Sequence, residues 1–239
     1  MENPDGNTDK GIHLGIIPDG SRRWAKKNGI ADYDGAKSGK VMAEIASHVF
    51  NNHPNVSELT IWAMSPENLK RPEKDRELVY GLLESQMKEL LGNPLIHKQE
   101  LKVNVVGQRL DEFPPEVNKI ARELMDLTRN YSKKTMNICM GYGGKEEIIN
   151  AVMGLTKWLR KNNAIAKLHE SMFEKHLLIP RPLDMVIRTG GEKRLSGFML
   201  YQIEYAELFF IDTLWPDFTT GELDTLMKEF SERHRRFGR

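Results

Sequence analysis

Short apolar runs alternate along the chain with longer segments in which apolar residues recur every three or four positions. That alternation predicts an α/β fold, a parallel sheet covered by helices on both faces. Strands are expected from Ile12 to Ile17, Glu58 to Met64, Leu101 to Val106, Thr135 to Met140, Asp184 to Ile187 and Glu207 to Ile211. Between them, Ile148, Val152, Leu155 and Leu159 form one helical stripe. Leu223, Leu226 and Phe230 form another, opened by a capping box from Thr219 to Glu222. Pro72 stands where a first helical turn tolerates proline, ahead of a segment running to about Leu91. No repeat or low-complexity linker divides the chain, so residues 11–239 are expected to form one domain behind a polar leader, residues 1–10.

Composition narrows the possibilities. The 239 residues are 39% hydrophobic and 29% charged, enough apolar content for a full core. Lys and Arg number 35 against 34 Asp and Glu, a net charge of +1, so the molecule as a whole is no glove for a nucleic-acid backbone, and anion binding must be local. The single cysteine, Cys139, excludes an internal disulfide framework and a multi-thiolate metal site and suits a reducing compartment. Mean hydropathy is −0.53 and no apolar run nears the roughly 18 residues of a spanning helix. The first ten residues lack a signal-peptide core, so a cytoplasmic location is expected.

The unusual polar residues follow the strands. In open α/β sheets ligands bind beyond the carboxyl ends of the strands, where loops lead into helix N-termini. There the sequence reads PDGSRRW, then SPENLKRP, GQR, GYGGK and RTGGEKR, so that Arg or Lys follows each of the first five strands. Asp-Gly after a strand is by itself only a turn signal, and Gly143-Gly144 alone reads as structural. The clustering of cations and glycine-flanked helix starts instead points to a polyanion, because free N–H groups and Arg forks bind phosphate oxygens. Neither GxxxxGK[ST] nor GxGxxG occurs, which removes the ATP and dinucleotide readings. Asp19, isolated among cations, suits Mg²⁺, an ion held by one or two carboxylates plus substrate phosphates.

Five stretches, HLGIIPDGSRRWAKKNG, LTIWAMSPENLKRP, MNICMGYGGKEEIINAV, DMVIRTGGEKRLSGFMLYQIEYAELFF with DTLWPDF, and RRFGR, together resemble the cis-prenyltransferases, the family of undecaprenyl and dehydrodolichyl diphosphate synthases. The resemblance implies a six-stranded, mainly parallel sheet with helices around it, a hydrophobic tunnel for a prenyl chain, Mg²⁺ dependence and a homodimer or heterodimer, the homodimer being expected. Its substrates would be an allylic prenyl diphosphate and isopentenyl diphosphate or another small acceptor, with no nucleic acid and at most transient contact with a membrane surface. By the same resemblance Asp19 positions Mg²⁺ and diphosphate, and Gly20, Ser21, Arg22, Arg23 and Trp24 belong to the allylic diphosphate motif. Ser65, Asn68 and Arg71 match a closing loop, with Asn68 in the proton-removal step. Arg188, Arg194 and Ser196 match the isopentenyl diphosphate site, Glu207 a carboxylate involved in metal binding or subunit communication, and Arg236 and Gly238 a terminal motif that reaches a diphosphate across the dimer. Met42, Met64 and Met87 are candidates to line the tunnel.

Some positions depart from the family pattern. Ser21 stands where Asn is usual, Asp32 and Ala36 where Arg and His help bind the allylic diphosphate, Lys145 for Arg, Lys193 for His or Gln, and Gly197 for Asn. The loss of Arg and His with the gain of Asp32 weakens the allylic site by charge alone and favours a non-standard transfer: head-to-middle condensation, or prenylation of a small hydroxyl acceptor. The alternatives are ordinary cis elongation with isopentenyl diphosphate and a non-catalytic partner subunit. Retention of Asp19, Asn68, Arg71, Arg188 and Arg194 argues against the last.

Overall fold

A computed structural model describes residues 11–30, 35–162 and 168–233. Six strands, β1 (Ile12–Ile17), β2 (Val56–Met64), β3 (Leu101–Val106), β4 (Lys134–Met140), β5 (Met185–Arg188) and β6 (Glu207–Phe210), form an all-parallel sheet in the order β3-β4-β2-β1-β5-β6. Register places Leu14 beside Leu59 and Met185, and Ile61 beside Ile138. Each expected strand is present, with ends displaced by no more than two residues.

A parallel sheet buries both faces, so its strands read as continuous apolar runs while their side chains alternate between two cores. Leu14, Ile16, Leu59, Ile61, Met136, Ile138, Met185 and Ile187 enter the larger core. There they meet α2 (Ala36–Asn52), α3 (Glu73–Leu91), α5 (Pro115–Thr128) and α8 (Thr220–Glu232). Ile17, Trp62, Cys139 and Val186 point the other way, against Tyr142, Phe198 and Met199. The amino-terminal half of that second face is polar: Asn137 Nδ2 donates to Thr60 Oγ1 (2.9 Å) and Glu58 Oε1 (2.7 Å), and His13 Nε2 lies 2.7 Å from the same Thr60 oxygen. Burial lowers the His13 pKa, against the pull of Glu58, so this network holds a neutral imidazole at neutral pH.

Local signals place the helices. Pro72 immediately precedes α3, which ends at Leu91 as expected. Thr219 caps α8, its side chain accepting from the Glu222 amide at 3.2 Å. The Glu222 carboxylate takes the Thr213 hydroxyl at 2.6 Å and thereby ties α8 to the loop after β6. In α6 (Gly144–Lys161) the buried stripe is Glu147, Ala151, Leu155 and Leu159. Val152, expected on that stripe, is instead 49% exposed, because the apolar positions of α6 span a wider arc than its neighbours cover. Three shorter helices, α1 (Ser21–Lys27), α4 (Pro94–Lys98) and α7 (Glu170–Glu174), complete the described elements together with short 3₁₀ turns. No helix among the described residues is long and apolar enough to cross a membrane.

Strand order determines where a ligand fits. From β1 the chain moves to β2 on one side, and after β4 it returns past β2 and β1 to place β5 on the other. The reversal opens a crevice beyond the carboxyl ends of β1 and β5, the position where open α/β sheets bind ligands.

Candidate active site

At that crevice the carboxylate of Asp19 lies between two guanidinium groups: Arg188 Nη2 donates to Oδ2 at 2.8 Å and Arg23 Nη2 to Oδ1 at 3.2 Å. Burial alone would raise the Asp19 pKa, but the hydrogen bond and charge of Arg188, with those of Arg23, outweigh it and hold the carboxyl below its ordinary range. The backbone is braced as tightly. Thr189 Oγ1 accepts from the Asp19 amide (2.9 Å) and lies 2.7 Å from its carbonyl, which also accepts from the Trp215 amide at 3.0 Å. Gly190, at φ +86°, makes this approach possible, since a Cβ there would stand 2.9 Å from the Asp19 carbonyl oxygen. Gly20, at φ +109°, then turns the chain so that α1 begins directly behind Asp19 with no side-chain cap, its first amides lacking acceptors within the helix.

Arg188 is buried, and its other donors are divided. Nη1 reaches Ser196 Oγ at 2.9 Å and the carbonyl of Arg194, while Nε is buried with no partner among the described residues. Ser196 holds φ +53°, a conformation costly for a non-glycine residue and maintained by this contact. Arg194 and Arg23 both approach Glu192, with Arg23 Nη1 at 3.6 Å. Across the crevice, Asn68 Oδ1 accepts from the Ser65 amide at 3.2 Å and holds the loop after β2 in a closed 3₁₀ turn. Arg71 is half-buried there. Desolvation first, and the neighbouring Arg22 second, lower its pKa, while Arg22 leans on Asp75 at 3.5 Å. Ser21 meets Ser38 of α2 at 2.8 Å between hydroxyl oxygens.

From this polar mouth a cavity of about 1340 Å³ runs beneath the sheet between α2 and α3. Its lining includes Asp19, Gly20, Ser21, Arg22, Arg23, Ser65, Asn68, Arg71, Arg188 and Ser196 at the mouth, then Met42, Ala46, Leu82 and Met87 on the helices. It reaches Leu101 and Met136, at the amino ends of β3 and β4, so it traverses the depth of the sheet, about 20 Å for six-residue strands. Leu78 and Leu82 of α3 are only half-buried because they face this space, and Val79, also on its lining, packs against the core as well. Met64 is fully packed in the core and does not line the cavity, unlike Met42 and Met87.

Not every strand-end cation converges on the crevice. β3 is an edge strand, and Arg109 after it is engaged by Glu146 and Glu112, which raise its pKa. The Gly143-Gly144 pair serves packing: the Gly144 amide donates to the Gly197 carbonyl at 2.7 Å, and a Cβ on Gly144 would come within 2.8 Å of that oxygen. Trp24 is buried outside the cavity lining, its indole donating to Asp217 at 2.8 Å beneath the Lys37 ammonium. Glu207 opens β6 in register with Met185, three residues or about 10 Å below the level of Arg188, and pairs with Arg233 at 2.8 Å. Within one chain the two carboxylates expected at a metal are therefore not neighbours. Asp32, Arg236 and Gly238 lie outside the described residues.

Two organising residues escaped sequence reasoning. Thr189 braces Asp19 but looks like ordinary loop polarity; its only signal is its place between Arg188 and the glycine pair. Glu147 is buried and gathers the Tyr142 hydroxyl (2.5 Å), the Gln202 amide (3.0 Å) and the Leu178 amide (2.9 Å). It raises the Tyr142 pKa in addition to the larger effect of burial. In sequence it is indistinguishable from an acidic residue favouring a helix start.

The mouth offers a hard oxygen donor, Asp19, held ionised beside guanidinium groups and free helix amides, together with a buried Arg188 Nε that lacks an acceptor. A divalent ion carried by phosphate oxygens matches that donor set, and it is one Mg²⁺ accepts. Comparison with known proteins places the chain in a family. The family model for undecaprenyl diphosphate synthase matches residues 17–238. A tritrans,polycis-undecaprenyl-diphosphate synthase (geranylgeranyl-diphosphate specific) of Thermococcus kodakarensis is 38% identical, over 95% of this chain and 86% of that one. The protein of the same description from Pyrobaculum aerophilum is 36% identical, over 95% of each chain. Among solved structures, lavandulyl diphosphate synthase from Lavandula x intermedia, in complex with dimethylallyl diphosphate, superposes with a TM-score of 0.85 at 28% identity, over 96% of this chain and 98% of that one. A probable undecaprenyl diphosphate synthase from Campylobacter jejuni superposes with a TM-score of 0.75, also at 28% identity, over 97% and 100%.

Proposed function

Because this chain belongs to the cis-prenyltransferase family, we propose that it elongates an allylic prenyl diphosphate with isopentenyl diphosphate in cis, releasing a polyprenyl diphosphate. It is a transferase of alkyl groups, and the open question is which acceptor it uses. The observation that carries the elongation reading is the 1340 Å³ cavity, larger than the roughly 300–1,000 Å³ of ordinary small-molecule sites and continuous with the diphosphate-binding mouth. A chain that grows by repeated addition needs such depth; one coupling of two short units does not. The curated relatives, described as geranylgeranyl-diphosphate specific, support a long allylic donor. They turn the balance away from the non-standard transfer that Asp32 and Ala36 suggested. The likeness to a lavandulyl diphosphate synthase keeps branched condensation as the second reading.

In this reaction the allylic C–O bond breaks and diphosphate leaves, the isopentenyl double bond forms the new C–C bond, and a proton departs to restore an alkene. Asp19 would hold Mg²⁺, which when bound neutralises diphosphate charge. The free amides behind Gly20, with Arg22 and Arg23, bind the leaving diphosphate where its charge develops. Arg188, Arg194 and Ser196 bind the second diphosphate, and the unpartnered Arg188 Nε supplies a donor already desolvated for it. The loop of Ser65, Asn68 and Arg71 covers the pair, and Asn68 serves in proton removal. The apolar walls on α2 and α3 exclude water from the allylic cation.

The test incubates the purified chain with Mg²⁺, labelled isopentenyl diphosphate and donors of increasing length, with mass analysis of products. A ladder of linear cis products from a long donor is expected. A branched product from dimethylallyl diphosphate alone would establish the second reading. Inactivity throughout, relieved by a second chain, would make it a partner subunit.

A further inference from the structure

On the far side of α2 from the crevice, where that helix ends, two neighbouring histidines meet a carboxylate from a distant part of the chain. His48 lies in the last turns of α2, His53 is the residue that terminates it, and Asp224 comes from α8. His48 Nε2 and His53 Nε2 stand 2.7 Å and 2.8 Å from the same oxygen, Asp224 Oδ1. The ligand atoms of the three residues all lie within 4.8 Å of one another. The two imidazoles are largely covered, at 20% and 17% exposure, while Asp224 is 49% exposed.

We propose that His48, His53 and Asp224 form a binding site for a late first-row divalent ion of the Zn²⁺ or Co²⁺ type, separate from the Mg²⁺ chemistry at Asp19. Two imidazole nitrogens and one carboxylate oxygen are a donor set such ions prefer, whereas Mg²⁺ favours oxygen alone. The geometry is close to what an ion requires. In a tetrahedral site with bonds of about 2.0–2.1 Å the ligand atoms stand about 3.3 Å apart, so each nitrogen needs to withdraw from the carboxylate oxygen by only about half an ångström. The imidazoles are directed by the backbone before any ion arrives: His48 projects from a regular helix, and His53 is swung back by the chain's exit from α2 at φ −115° and ψ 77°. The exposed side of Asp224 leaves the fourth position to water, as in three-ligand sites. An ion there joins the end of α2 to α8. Because Ser47 and Phe50 of α2 line the cavity, it would pin one of the cavity's walls away from the reacting groups.

The experiment uses the full chain without an affinity tag, freed of metal by chelator. Co²⁺ is added first, to observe the visible bands of a four-coordinate complex, and Zn²⁺ is then titrated to displace it. One equivalent per chain is expected, undisturbed by millimolar Mg²⁺, with affinity reduced about tenfold or more in both His53→Ala and Asp224→Asn. Retained Mg²⁺-dependent prenyl transfer shows that those variants are folded. Absence of a stoichiometric complex in the wild type would overturn the proposal and leave the cluster a hydrogen-bonded clip between helices. Equal affinity in wild type and both variants would overturn it too, by assigning the ion to other histidines.

Discussion

Asp19 shows how one side chain can serve folding and chemistry together. Its carboxylate compensates the buried Arg188, and the same ionised state suits a metal-bound diphosphate. Asp19→Asn is therefore expected to lower turnover by about 100-fold or more, measured with saturating Mg²⁺. Near-normal rates would remove Asp19 from the metal. The substitution should also reduce stability by about 1–2 kcal/mol at pH 7, a value below that for fully buried pairs because Asp19 is partly open to solvent. The sign with pH follows from a folded pKa below the unfolded one of about 3.9. The folded state holds its proton less readily, so the contribution is complete above about pH 5 and is lost as pH falls through the folded value. Urea unfolding across pH 7 to 3 should show wild type and Asp19→Asn converging at the acidic end.

The helices carry different loads. α5 is a packing helix whose apolar residues Val117, Ala121 and Leu124 are buried in the core. Along α2 and α3 the apolar residues are divided between core contacts and the cavity wall, which is why the side chains of α3 are mostly half-buried. Ala46 of α2 is almost buried, yet lines the cavity midway along the helix. Ala46→Leu is expected to fill part of that space and shift products to shorter chains, with the KM for isopentenyl diphosphate little changed, because the diphosphate mouth is untouched. An unaltered product ladder would mean that the growing chain does not pass Ala46.

For the molecule as a whole, a net charge of +1 conceals a sorting by position: cations gather where β1, β2 and β5 end, and acidic partners neutralise others, such as Arg109, at the edge. Apolar side chains also remain outside, including Met153 and Trp158 on α6, Tyr205 just before the edge strand β6 and Leu208 within it. An edge strand with apolar neighbours invites pairing with another copy. Sedimentation analysis should accordingly find a homodimer at micromolar concentration, and a monomer at every concentration would discard that expectation.

The strands, the long helix after Pro72 and the family motifs were all legible in the order of residues, because periodicity and turn chemistry are local properties. The motif around Asp19 was legible for the same reason: Gly20 and Arg23 are its chain neighbours. The sheet order was not, and it is what removed Arg109 from the crevice and brought Arg188 to Asp19 across 169 residues. The arc of α6 that is covered, the depth of the cavity and the roles of Thr189 and Glu147 likewise depend on which surfaces meet. Local patterns specify what each segment becomes; contacts between segments far apart in the chain, set by crossover topology and packing, specify which side chains share a site.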